Sequence, residues 1–199
     1  MFVQTNVLDP DIRKALFGRC SGIHHQNGEL VVHELGLAHA KRRVDLAVLN
    51  DEEIHGYEIK SEKDKLNRLA GQLDIYLQSL HKLTLVVANK HMKHILKYIP
   101  TWCGVIEVNV TSNGSFELNH YREAQKNPHI DPFILSHLLW RCEVQEILHN
   151  YGASPSSLRG SRADLYRKLL KVIPENQLMK IIKKAMMNRR NWRDHPRRL

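Results

Sequence analysis

Long apolar runs, cysteines and, toward the C-terminus, acidic residues are scarce in this 199-residue chain, and each scarcity excludes something. No stretch approaches the twenty or so consecutive apolar residues that a membrane-spanning helix needs. The start, MFVQTNVLDPDIRKALF, lacks a basic segment followed by an apolar core, so no export signal is read there. A soluble, cytoplasmic protein with no membrane partner is expected. Cys20, Cys103 and Cys142 are odd in number and far apart, which supports neither a disulfide framework nor a zinc knuckle. They read as buried thiols.

Residues 155–199 hold thirteen Lys and Arg against three acids, which leaves residues 1–154 at a net −1 of the chain's +9. A near-neutral body with a basic tail points to a polyanionic partner, because phosphate contacts by Lys and Arg release counterions. Simple solubility is the competing explanation. The length suits one α/β body at residues 1–127 and a helical, basic region at 128–199.

The chemistry-bearing residues concentrate between Arg42 and Tyr76. Val44, Leu46 and Val48 alternate with Arg43, Asp45 and Ala47, the pattern of a strand that buries one face and turns Asp45 to the other. Asn50 to Glu53 supplies a turn before Gly56, and Tyr57 and Ile59 then alternate with Glu58 and Lys60. An antiparallel hairpin in the right register makes Asp45 and Glu58 cross-strand neighbours with Lys60 beside them. Two carboxylates at that range repel unless a cation lies between them, and oxygen ligands on an open site suit Mg²⁺ or Mn²⁺. Such an ion with a lysine nearby is equipment for phosphodiester hydrolysis. Taken alone, Glu-x-Lys is read as an exposed hairpin with solvated charges in preference to a site, since exposed charges are usual on strand faces.

Ser61 and Asp64 form a variant of a capping box ahead of a helix whose Leu66, Leu69, Leu73, Leu77 and Leu80 recur at helical spacing. Lys65, Arg68, Gln72 and Tyr76 make a polar line beside that stripe.

Elsewhere, Asp9 to Phe17 reads as a short helix and Gly18 to Gly28 as a loop, in which His24 and His25 are weak candidates for phosphate or metal contact. Leu30 to Leu37 is a strand that presents Glu34 toward the later carboxylates. LTLVVA at 83–88 suits a strand covered on both faces, followed by a helix to Ile99, a strand from Cys103 to Val110, a turn at 111–114 and an edge strand from Phe116. Asn127 to Ile130 resembles a linker, Pro132 to Asn150 a single helix, and the remainder a helix, loop, helix unit with a last basic amphipathic helix. Arg42, Arg43, Arg68, Arg159, Arg162, Lys183, Lys184, Arg189 and Arg190 are the candidates for nucleic-acid phosphates.

Asp45, Glu58-x-Lys60 and Gln72-x-x-x-Tyr76 together resemble the PD-(D/E)XK nuclease superfamily, in particular its RecB-like branch with a Gln-x-x-x-Tyr motif. RRVDLAVLN, GYEIKSEKDKLNRLAGQLDIY and IPTWCGVIEV look like small bacterial and phage proteins related to MmcB-like DNA repair proteins. The proline of the superfamily's name is absent, Val44 standing before Asp45. The resemblance implies a restriction-endonuclease-like mixed sheet flanked by helices. It implies Glu34, Asp45 and Glu58 as metal ligands, Lys60 as the catalytic lysine, and Gln72 and Tyr76 as residues that hold substrate or order the site. The expected function is an Mg²⁺- or Mn²⁺-dependent nuclease acting on DNA, with RNA as the other substrate and a homodimer suited to cutting both strands. The alternative is a nucleic-acid-binding protein on a nuclease fold, inactive or dependent on a partner. A third reading is an interaction module whose carboxylates only pair with Lys60.

Overall fold

A computed structural model describes residues 9–17, 23–26, 28–111 and 116–189. Cys20, Arg190, residues 112–114 of the expected turn and the side chains of His24 and His25 lie outside what it describes. Seven strands form one sheet in chain order: β1 (Ile23–Gln26), β2 (Glu29–Leu37), β3 (Arg42–Leu49), β4 (Ile54–Lys60), β5 (Lys82–Ala88), β6 (Gly104–Val110) and β7 (Phe116–Arg122). The helices are α1 (Asp9–Phe17), α2 (Leu69–Ser79), α3 (Met92–Tyr98), α4 (Pro132–Ser136), α5 (Arg141–Asn150), α6 (Arg162–Val172) and α7 (Glu175–Met187). The fold is therefore mixed α/β.

Strand direction follows from what joins the strands. Short turns make β1 to β4 antiparallel, whereas α2 and α3 carry the chain back so that β4, β5 and β6 run parallel, and β7 returns antiparallel at the edge. The continuous apolar run of β5 is covered on both sides. Leu83, Leu85 and Val87 join the core beneath α2 to α7, and Val86 joins Ile12, Ile59 and Ile106 on the α1 side. Gly104 fits a close approach: a Cβ there would lie 2.8 Å from the Ala124 backbone nitrogen.

Several expectations are corrected. The expected loop at 18–28 contains β1, whose strand state comes from pairing with β2 and not from any apolar periodicity of IHHQ. The helix bearing Gln72 begins at Leu69, after a 3₁₀ turn at Leu66–Arg68. Asp64 accepts from the Ser61 N–H and hydroxyl, at 2.8 and 2.6 Å, and so closes a turn instead of capping that helix.

The expected helix from Pro132 to Asn150 is two, because the Glu143 carboxylate accepts the Trp140 N–H at 2.7 Å and starts α5 afresh. The expected linker is clamped. Asn127 is 4% exposed and its carboxamide donates to the carbonyls of Leu77 and Leu80 at 2.6 and 2.8 Å. The C-terminal helices share the main core, with Leu138, Leu165, Leu169 and Ile182 in one cluster with Leu30 and Leu35.

Candidate functional site

The β3–β4 ladder ends with Leu46 paired to Tyr57, so Asp45 and Glu58 lie just beyond its last pair. The other side of β3 pairs His33 with Leu46 and Leu35 with Val44, which leaves Glu34 facing Asp45. Glu34 has a φ of +55°, a left-handed conformation unusual for any residue with a Cβ. The alternation of β3 slips at the same place. Val44 packs in the α2-side core, while Leu46 and Val48 cluster with Tyr57 on the other face, so one buried face does not hold all three as the pattern suggested.

Two ionic clusters result. In the first, Glu58 and Lys60 point the same way from β4, as alternation requires, toward α2. The Lys60 ammonium donates to Glu58 Oε1 at 2.5 Å and to Gln72 Oε1 at 3.2 Å. Gln72 Nε2 donates to Glu58 Oε1 at 2.7 Å, and the Tyr76 hydroxyl lies 2.6 Å from both Glu58 Oε2 and the Arg43 carbonyl oxygen. Glu58 is 2% exposed and Lys60 8%. Burial, and then the Glu58 charge, push the Tyr76 phenol far above its ordinary value, so it stays a neutral donor. The i, i+4 spacing of Gln72 and Tyr76 is what brings both to one carboxylate.

The second cluster centres on Arg13, which the sequence offered only as part of a helix resting on the sheet. Its guanidinium donates to Glu34 Oε1 at 2.6 Å, to Asp45 Oδ1 at 3.0 Å and to the Asp45 carbonyl. Asp45 Oδ2 meanwhile accepts the Ile59 N–H at 2.7 Å. A signal for Arg13 existed only in its place beside Ile12, a fully buried residue of the same short helix.

The donor chemistry of three carboxylates suits a hard divalent ion. Their arrangement does not. Among the described residues no three His, Cys, Asp or Glu side chains lie where they could share an ion. Arg13 fills the space between Glu34 and Asp45, and Lys60 holds Glu58. In this conformation Arg13 and Lys60 supply the positive charge beside these carboxylates.

Of the expected phosphate contacts, Arg42, Arg68, Arg159, Arg162 and Lys184 are exposed and Arg43 is half-buried. Arg42 reaches the Gly71 carbonyl. Lys183 binds Asp51 at 3.2 Å and the Gly28 carbonyl at 2.9 Å. Arg189 binds Glu143 at 2.6 Å beneath the Trp140 ring, its side chain 3% exposed, so it works inside the fold and not as a surface cation.

The molecule is thus a mixed α/β protein with two ionic clusters on either side of β3. Residues 4–195 match the family described as Bacteriophage P4 protein cII, and the chain belongs to that family. It is 28% identical over 163 residues to "Protein cII" of Enterobacteria phage P4, a match that covers 80% of this chain and spans 59% of that protein's length. A solved structure, the SPO1766 protein of unknown function from Silicibacter pomeroyi, aligns with 64% of this chain and 85% of its own, at 20% identity and a TM-score of 0.34.

Proposed function

We propose that this protein hydrolyses phosphodiester bonds in DNA at the Asp45, Glu58 and Lys60 site, on the PD-(D/E)XK pattern that its motifs resemble. The observation that carries the reading is the buried Glu58–Lys60 pair, fixed by Gln72 and Tyr76 from α2, with Asp45 accepting the N–H of Ile59 between them. Burying two charges is costly, and a structural role alone is served as well by apolar side chains. Lys60 supplies a fixed positive charge against a phosphate, and Gln72 and Tyr76 hold the Glu58 oxygens in place. The exposed cations Arg42, Arg68, Arg159, Arg162 and Lys184 supply backbone contacts whose strength falls with salt. Arg13 holds the place of a divalent ion beside Glu34 and Asp45 in this conformation, so Mg²⁺ or Mn²⁺ supplied from solution would have to displace it.

Purified protein supplied with Mg²⁺ or Mn²⁺ is expected to cut at least one of single-stranded, duplex or branched DNA or RNA, and Asp45→Asn to abolish the cutting. Identical product profiles from the two proteins on all four substrates would sink the reading. Arg13 favours a second reading, a nucleic-acid-binding protein without cleavage. In that case binding weakens steeply with salt and is indifferent to Asp45→Asn.

A further inference from the structure

Between the β2–β3 turn and the C-terminal helices lies a cavity of about 340 Å³, lined by Glu34 but not by Asp45, Glu58 or Lys60. We propose that it binds a single nucleotide, with the phosphate on Arg141 and Arg162 and the base against the rings of His39 and His137, which the buried Tyr166 backs. The volume lies at the small end of ligand pockets, roughly 300–1,000 Å³, which suits one small molecule and not a stretch of duplex.

Four observations converge on it. His39 and His137 stack with centroids 4.0 Å apart, and Tyr166 lies 5.0 Å from the second ring. Burial lowers both imidazole pKa values, that of His137 to about 4, so the rings offer neutral faces at pH 7 and the arginines supply the charge. Arg141 and Arg162 have no ion pair or side-chain hydrogen bond among the described residues, whereas Arg13, Arg122 and Arg189 are all committed. The Nδ1 of His137 is buried without a hydrogen-bond partner among them.

The backbone adds to this. Ala38, His39 and Ala40 have φ of 47°, 58° and 61° in succession, a strained turn that carries His39 to His137. Strain of this kind, of order 1 kcal/mol or more per residue, gathers at functional sites. Glu34 lines the cavity and also pairs with Arg13, so a nucleotide there lies next to the carboxylates. The proposal rests on the phosphodiester reading only for the class of ligand.

The test is isothermal titration of the full chain with 2′-deoxyadenosine 5′-monophosphate, with deoxyadenosine and with inorganic phosphate at one ionic strength. The nucleotide is expected to bind roughly tenfold more tightly than either part, and Arg162→Ala and His39→Ala each to weaken it about tenfold. Arg162 is exposed, so its variant is expected to melt with the wild type. Equal affinity for nucleotide and phosphate, or an unchanged Arg162→Ala, overturns the assignment. Asp45→Asn separates the two proposals. Retained nucleotide binding supports the cavity even if no substrate is ever cut, and loss confined to Asp45→Asn moves the ligand to the carboxylates and overturns it. A 5′-phosphorylated octanucleotide that competes better than the mononucleotide identifies the ligand as a strand end, and equal competition as a free nucleotide. Either result supports the cavity.

Discussion

Glu58 and Glu34 lie on strands either side of β3, each against a basic partner, yet the side chain of Glu58 is 2% exposed and that of Glu34 45%. The Glu58 cluster has its oxygens occupied by an ammonium, an amide and a phenol, because water cannot make up a missing contact there. The Glu34–Asp45 pair keeps one edge in water and shares a single guanidinium. One cluster is locked by desolvation. The other keeps its carboxylates partly in water while the Arg13 side chain is buried.

Lys60→Ala breaks the locked side most severely, since it leaves Glu58 buried and unpaired at a cost of roughly 3–5 kcal/mol. Urea unfolding measures this, and a change within error of wild type would show that Glu58 is not sealed. Arg13→Ala comes next. Removal of the guanidinium takes the positive charge from beside Glu34 and Asp45, and Mn²⁺ followed by paramagnetic resonance is expected to bind about tenfold more tightly than to wild type, equivalent to about 1.4 kcal/mol. Equal uptake by both proteins would mean that Arg13 does not compete with the ion. The smallest effect is expected of Glu34→Gln, below about 1 kcal/mol in melting experiments, because Glu34 is 45% exposed and Arg13 keeps its bonds to Asp45. A loss as large as that of Lys60→Ala would erase the contrast between the clusters.

The Glu58 cluster was legible in the sequence and the Arg13 cluster was not. Glu58 and Lys60 follow from a period of two, Gln72 and Tyr76 from a period near four, and the hairpin register from one turn. Those are local rules. Arg13 meets Asp45 across 32 residues, and no spacing encodes such a contact. Glu34 was placed on the right strand, but its left-handed backbone and the slip at Val44 depend on packing from both sides of β3. The break between α4 and α5 was written in Trp140 and Glu143 as a cap, and the stronger apolar periodicity from Phe133 to Leu148 hid it. The basic tail was visible as composition only. Its sequence could not tell exposed Arg162 and Lys184 from Arg189, which the fold consumes.

Asn127 closes the last turn of α2 from 47 and 50 residues downstream, through the carbonyls of Leu80 and Leu77. During synthesis on a ribosome, the helix that carries Gln72 and Tyr76 therefore emerges with its end unsatisfied, and it stays so until β5, β6 and β7 have been made. The order of translation thus leaves the end of that helix to be fixed only after most of the sheet has been made.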